Sequence, residues 1–172
     1  MNIKYSKNIN NEKQKDLLII AEKLQHIYHE SFDIFNELIL IPAGIKSKSI
    51  NNYQSADITL KSSENMPLIH VCVETLSRYT LHCSMRMDGG IIKGNENVYQ
   101  TPFIFRMKLF LDAQLLEVYD AVSHTKKRNK KDTQISLKLL NPVSSELKLI
   151  KSEFLKNWLR IIKTSGYKID DR

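Results

Sequence analysis

The chain has 172 residues, of which 42% are hydrophobic and 26% are charged, and this composition is typical of a single globular domain. It contains no apolar run near the roughly 18 residues that a membrane-spanning helix needs, and residues 1–15 lack the apolar stretch of a secretory signal. The formal net charge of +7 fits a nucleic acid, an anionic membrane surface or an acidic partner, and equally the base composition of a genome.

The N-terminal quarter predicts a polar tail followed by one long helix. Residues 1–12 are rich in Asn and Lys, and we expect them to be disordered. Residues 13–40 contain no Gly or Pro before Pro42, and their apolar positions recur at helical spacing: Leu17, Ala21, Leu24, Ile27, Tyr28, Phe32, Phe35, Leu38 and Ile39. Pro42 and Gly44 end the helix, and one stripe of it must cover another part of the domain.

Strand-like alternation then takes over, most clearly in residues 103–122. Every second residue from Phe103 to Leu111 is apolar, the pattern of a strand with one buried face. A two-residue turn at Asp112 and Ala113 brings the apolar faces of the two strands together. It predicts four cross-strand pairs: Leu109 with Leu116, Met107 with Val118, Phe103 with Val122, and Lys108 with Glu117.

The remaining strands and the last helix complete an α+β prediction. We expect strands at residues 57–61, 68–75, 79–87 and 135–139, with a glycine-containing loop from Gly89 to Pro102. A helix begins at Ser144 or Ser145 and ends at Gly166. Its predicted buried stripe comprises Leu147, Ile150, Phe154, Leu155, Trp158, Leu159 and Ile162. The prediction is one domain, residues 13–168, with a long N-terminal helix, an antiparallel meander of four to six strands and a C-terminal helix packed on the sheet.

The two cysteines predict a reducing environment. Cys72 alternates with His70 and Glu74, whereas Cys83 alternates with Leu81 and Met85. The two thiols should therefore point to opposite sides of the sheet and cannot form a disulfide. A cytoplasmic location fits this arrangement best.

One polar cluster could carry chemistry. The polar face of the hairpin at residues 68–87 presents His70, Cys72, Glu74, His82 and Arg86. His, Cys and Glu are zinc ligands, but no compact ligand spacing supports a metal site, and no obvious third residue completes an activated thiol. Glycine loops that hold phosphate, Walker motifs and paired Cys motifs are absent. We expect a solvated polar face, with no metal, no cofactor and no catalytic residue assigned.

A second candidate is a cationic surface. Basic residues form two clusters. One is a predicted loop with Lys126, Lys127, Arg128, Lys130 and Lys131. The other is the predicted exposed side of the last helix, with Lys148, Lys151, Lys156, Arg160 and Lys163. Together they could contact phosphates. Aromatic residues do not interleave the basic run, so stacking on bases is not indicated, and a solvated lysine face is the simpler interpretation.

Three sequence segments carry a family resemblance. They are Arg-Tyr-Thr at residues 78–80, FRMKLFLDAQLLEV at residues 105–118, and Phe-Leu-Lys-Asn-Trp-Leu at residues 154–159, followed by Gly166. In order and spacing they resemble the small proteobacterial family known as domain of unknown function 1249. The resemblance implies a cytosolic bacterial protein without an established activity, whose relatives are often encoded beside enzymes that hydrolyse nucleotide phosphodiester or pyrophosphate bonds.

This chain departs from that family pattern at polar positions. Lys108, Phe110 and Leu111 stand where the family has Arg, Tyr and His. A divergent member with a binding role is therefore favoured over an enzyme. The leading hypothesis is a non-enzymatic binding or adaptor protein with a protein partner or an anionic ligand. The alternatives are a phosphate-directed binder of RNA or nucleotides and an enzyme that uses the polar sheet face, and the chain could be a monomer or a homodimer.

Overall fold

The computed structural model describes residues 3–45, 55–63, 66–88, 91–94, 97–100, 103–123 and 145–170, and the fold is α+β, as predicted. The described residues contain two helices and eight strands, in chain order: α1 Ile3–Phe35, which continues as a π-helical turn at Asn36–Leu40, β1 Ser55–Lys61, β2 Ile69–Ser77, β3 Thr80–Met87, β4 Ile91–Gly94, β5 Asn97–Gln100, β6 Phe103–Phe110, β7 Leu115–Ser123, α2 Ser145–Thr164 and β8 Lys168–Ile169. Within these residues no helix has the length and apolar content to cross a membrane.

Six strands form one antiparallel sheet in the order β7-β6-β3-β2-β1-β8, and β4 pairs with β5 in a separate hairpin. Two predictions are changed here. The helix begins at Ile3, so most of the tail that we expected to be disordered is helical, because no Gly or Pro interrupts it. The expected loop from Gly89 to Pro102 contains β4 and β5. The strand predicted at residues 135–139 lies outside the described residues.

The sheet has one buried face and one polar face. Every second strand residue is buried, including Leu60, Val71, Met85 and Met107, and α2 and the second half of α1 pack together against the sheet. The alternate residues form what we call the open face, because no helix of the described chain covers it. An antiparallel sheet with helices on one side leaves such a polar face toward solvent.

The hairpin of β6 and β7 follows the predicted register near its turn only. The pairs Leu109–Leu116, Met107–Val118 and Lys108–Glu117 are confirmed. The predicted pair Phe103–Val122 is wrong, because a bulge makes Tyr119 an extra residue and Phe103 faces Ser123 instead. A single inserted residue shifts the register of all residues beyond it, and the alternation pattern alone does not show where it lies.

The buried side of α2 differs from the predicted stripe. Leu155, Leu159 and Ile162 are buried as expected, but Ile150 and Phe154 are about half exposed. Lys151, which we placed on the exposed side, is buried. The reason is that α2 contacts α1 as well as the sheet, so its buried side is rotated toward α1. The helix ends near Gly166 as predicted, with this glycine at a positive φ of 74°.

Candidate functional site

The predicted polar cluster does share one face of the sheet. Strands β2 and β3 pair so that His70 lies opposite Arg86, Cys72 opposite Ser84 and Glu74 opposite His82. These three cross-strand pairs are successive rungs on the open face, since same-face residues are two apart along each strand. The cluster that alternation predicted is therefore a continuous surface.

A half-open pocket of about 430 Å³ occupies the middle of this face. Its floor is made by Cys72 and Ser84, two small side chains that lie directly opposite each other. The flanking strands β1 and β6 contribute Asp57, Thr59, Ile104 and Arg106 to its lining. His70 and Arg86 complete the lining one rung further on. The pocket thus extends across four neighbouring strands, β1, β2, β3 and β6.

Two arginines line the pocket, and each contacts an aspartate of the same chain. Arg106 donates from Nη1 to Asp120 Oδ2 at 2.9 Å, and Nη2 of Arg86 lies 3.5 Å from Asp88 Oδ1. Both guanidinium groups are about half exposed. A guanidinium carries five N–H donors, so one carboxylate partner leaves donors for a ligand in the pocket.

His70 is also held in place. Its Nε2 lies 2.7 Å from Asp88 Oδ2, and its Nδ1 lies 3.4 Å from Thr59 Oγ1. In the neutral tautomer with hydrogen on Nε2, the ring donates to Asp88 and accepts from the threonine hydroxyl. Asp88 thus contacts both His70 and Arg86, and the imidazole ring of His70, held by these contacts, lines one side of the pocket.

The two thiols lie on opposite faces of the sheet, as predicted. Cys83 is buried in the core, whereas Cys72 lines the pocket. Burial raises the pKa of Cys72, and a hydrogen bond to Asp57 together with the charges of Asp57 and Glu74 raises it further. Burial also raises the pKa of Cys83. A thiol with a raised pKa is a weak nucleophile at neutral pH, which argues against an activated thiol here.

Alkylation measures the reactivity of the two thiols directly. In the folded protein we expect iodoacetamide to label Cys72 slowly at pH 7.5 and Cys83 much more slowly still. Because the pKa of Cys72 is raised, its labelling rate should keep increasing above pH 9, where an ordinary thiol is already ionised. Mass spectrometry against time gives both rates, with the urea-unfolded chain as the control. Fast labelling of Cys72 at neutral pH would contradict the assignment.

Glu74 and His82 belong to a neighbouring cluster on the open face. The ring of His82 stacks on Tyr119 with centroids 5.2 Å apart and hydrogen bonds to its hydroxyl. Glu74 Oε2 lies 3.9 Å from His82 Nδ1, and Lys108 Nζ lies 5.8 Å from the centre of the Tyr119 ring. Tyr119 is the bulge residue, which sequence reasoning did not single out. No group of three His, Cys, Asp or Glu suited to a metal ion occurs among the residues described.

The predicted cationic surface is only partly described, and its helical part is ion-paired. Lys126, Lys127, Arg128, Lys130 and Lys131 lie outside the described residues. On α2, Lys156 and Arg160 contact Glu30 at 3.1 and 3.2 Å, and Lys163 contacts Glu37. Hydrogen bonding to Lys156 lowers the pKa of Glu30. These cations join α2 to α1.

Lys148 makes the corresponding contact with the sheet. Its Nζ donates to Glu117 Oε1 on β7 at 3.1 Å, and this hydrogen bond raises the pKa of Lys148. Four of the five α2 cations of the predicted surface, Lys148, Lys156, Arg160 and Lys163, thus contact carboxylates of the same chain. This pairing lowers the positive potential that the helix can offer to phosphates, just as Asp88 and Asp120 partly offset the charges of Arg86 and Arg106 at the pocket.

Several pocket residues were not predicted, namely Asp57, Thr59, Ser84, Ile104 and Arg106, and neither was Asp88, which contacts His70 and Arg86. Alternation within each strand places most of them on the polar side. The missing information was the strand order, since only the pairing of β6 with β3 and of β1 with β2 brings distant segments beside His70 and Arg86.

The fold and the pocket define an α+β protein with a polar depression on the uncovered face of its sheet. No family model, no curated protein and no solved structure matches this chain. The resemblance to domain of unknown function 1249 therefore stays a prediction.

Proposed function

We propose that the protein is a non-catalytic binding protein that holds a small anionic ligand in the pocket of the open face. The observation that carries the proposal is the presence of two arginines, Arg86 and Arg106, at one pocket. Guanidinium groups bind carboxylates and phosphates through charge-assisted hydrogen bonds, which are roughly twice as strong as neutral ones. The size of the pocket, about 430 Å³, is that of a small-molecule site.

The opposite wall adds a second feature of the ligand. Asp57 on β1 lines the side away from Arg106, with β2 and β3 between the two strands. Three strand spacings amount to about 14 Å between these backbone positions. A ligand that bears an anionic group toward the arginines and a hydrogen-bond donor toward Asp57 therefore fits best.

The two pocket side chains that could act in catalysis, Cys72 and His70, also support a binding role. The raised pKa of Cys72 keeps its thiol protonated at neutral pH, and both ring nitrogens of His70 have partners of the same chain. The pocket thus offers hydrogen-bond donors and one carboxylate, which are groups that bind a ligand without reacting with it. We place the protein in a bacterial cytoplasm, where its two separated thiols stay reduced.

Titration calorimetry tests the proposal with four probes: orthophosphate, a nucleoside monophosphate, a dicarboxylate and a zwitterionic amino acid. We expect at least one to bind, and Arg86→Gln or Arg106→Gln to weaken it roughly 10-fold to 100-fold, because a hydrogen bond to a charged group contributes about 1.5–3 kcal/mol. Arg78→Gln is the matched control, since Arg78 lies over the Tyr79 ring and does not line the pocket.

Two results would overturn the proposal. One is the absence of binding by all four probes at millimolar concentration. The other is binding that survives both pocket substitutions. If Lys127→Glu with Arg128→Glu removes binding and the pocket variants do not, the ligand is held by the basic residues 126–131 instead.

A further inference from the structure

The first half of α1 extends beyond the rest of the described fold. Helices α1 and α2 run parallel, since Tyr28 contacts Ser152, Glu30 contacts Lys156, and Glu37 contacts Lys163. By this register the start of α2 lies level with about residue 20 of α1. Residues 3–19, which we call the arm, therefore extend about 25 Å past the start of α2.

The arm exposes apolar side chains that a solvated helix has no reason to carry. The three consecutive residues Leu17, Leu18 and Ile19 are 55%, 61% and 50% exposed. An isolated helix of this length is marginally stable in water, and most helical stability in proteins comes from packing of an apolar face. The arm thus needs a surface to pack on.

A second exposed apolar surface lies on α2. Ile150 and Ile161 are 56% and 60% exposed, and Phe154 between them is about half exposed with its inner side stacked on Phe105. Their spacing places them on one flank of the helix, on the side away from the ion pairs with α1. We call these three residues the α2 stripe.

The charges beside the two surfaces are complementary. The arm carries Lys4, Lys7, Lys13 and Lys15 against two acidic residues, Glu12 and Asp16. On α2, Glu146 and Glu153 are exposed and flank the stripe. Lysines near a helix N-terminus oppose the helix dipole, and α1 has no acidic residue in its first turn. An acidic neighbour would compensate this arrangement.

We infer that the protein forms a homodimer in which the arm of each copy lies along the α2 stripe of the other. A twofold axis level with the start of α2 inverts the partner, so that its α2 runs antiparallel to the arm. The 20 residues of α2 span about 30 Å, which matches the arm of about 25 Å. The arm of each copy then lies on the α2 stripe of the other, and both exposed apolar surfaces become buried. This inference is independent of the pocket and its ligand.

Sedimentation velocity and light scattering after gel filtration test the dimer with two double variants. We expect the wild-type chain at twice its mass of 20.0 kDa, and both Leu17→Glu with Leu18→Glu and Ile150→Glu with Ile161→Glu at the single mass. Matched controls make the same change of charge at exposed positions outside both surfaces: Lys23→Gln with Gln25→Glu in α1, and Lys168→Glu in β8. The controls should remain dimeric, and circular dichroism should show that all four variants are folded.

Mixing the two disrupted variants identifies the contact. A heterodimer of the arm variant and the stripe variant keeps one intact arm facing one intact stripe, so the mixture should recover dimers although neither variant alone forms them. A mixture that stays monomeric would overturn the exchange, and a stripe variant that is dimeric by itself would indicate pairing of arm with arm instead. A monomeric wild-type chain at 100 µM, or dimers that persist in either disrupted variant, would overturn it as well.

Discussion

Replacement of Phe105 by alanine should lower the free energy of unfolding by about 3–5 kcal/mol, the usual cost of removing a buried aromatic ring. Phe105 is buried in β6 and its ring lies 5.7 Å from Phe154 and 5.0 Å from Trp158, so it joins the sheet to α2. Urea denaturation followed by circular dichroism gives the value. The fluorescence of Trp158, the single tryptophan, reports on the same contact.

A matched control lies at the end of the same strand. Phe110 has the opposite parity to Phe105, so it points to the open face, where it is only partly buried. Phe110→Ala removes the same atoms and should cost clearly less than Phe105→Ala. Equal losses at the two positions would contradict the assignment of the buried and open faces.

Adjacent residues of β3 should respond in opposite ways to glutamate. Met85 is fully buried on the core face, and Met85→Glu places an unpaired carboxylate there, so we expect the chain not to fold. Ser84 lies in the floor of the pocket, and a glutamate there can reach solvent and the guanidinium groups of Arg86 and Arg106. Ser84→Glu should therefore fold and lose anion binding.

Circular dichroism and calorimetry separate the two outcomes. A folded Met85→Glu protein would show that the core face is not as buried as described. A Ser84→Glu protein that binds the calorimetric probe with unchanged affinity would show that the ligand does not occupy the pocket. These two substitutions, one residue apart, test how the fold positions the site.

Much of the fold follows from local periodicity. The alternation in residues 103–111 predicts β6 and its buried face, and the same period of two places Cys72 and Cys83 on opposite faces, as found. These properties depend on neighbours along one strand. Sequence patterns are most informative where one face of an element is buried against a single layer.

Other features depend on contacts that a single sequence does not specify. The bulge at Tyr119 changes the register of β7 without any Gly to mark it. The buried side of α2 includes Lys151 because α1 packs beside it, which apolar spacing does not reveal. The pocket likewise needs the strand order, since Asp57 and Arg106 are far apart in sequence and reach the same site only across β2 and β3.

The most direct measurement for the central claim is a nuclear magnetic resonance titration of the ¹⁵N-labelled protein with orthophosphate and, separately, succinate. Chemical shift changes for either anion that saturate and cluster on β1, β2, β3 and β6 around Ser84, Arg86 and Arg106 are the result that an anion pocket on the open face predicts. Changes confined to α2 and other lysine-rich segments, or none at millimolar anion, would contradict it.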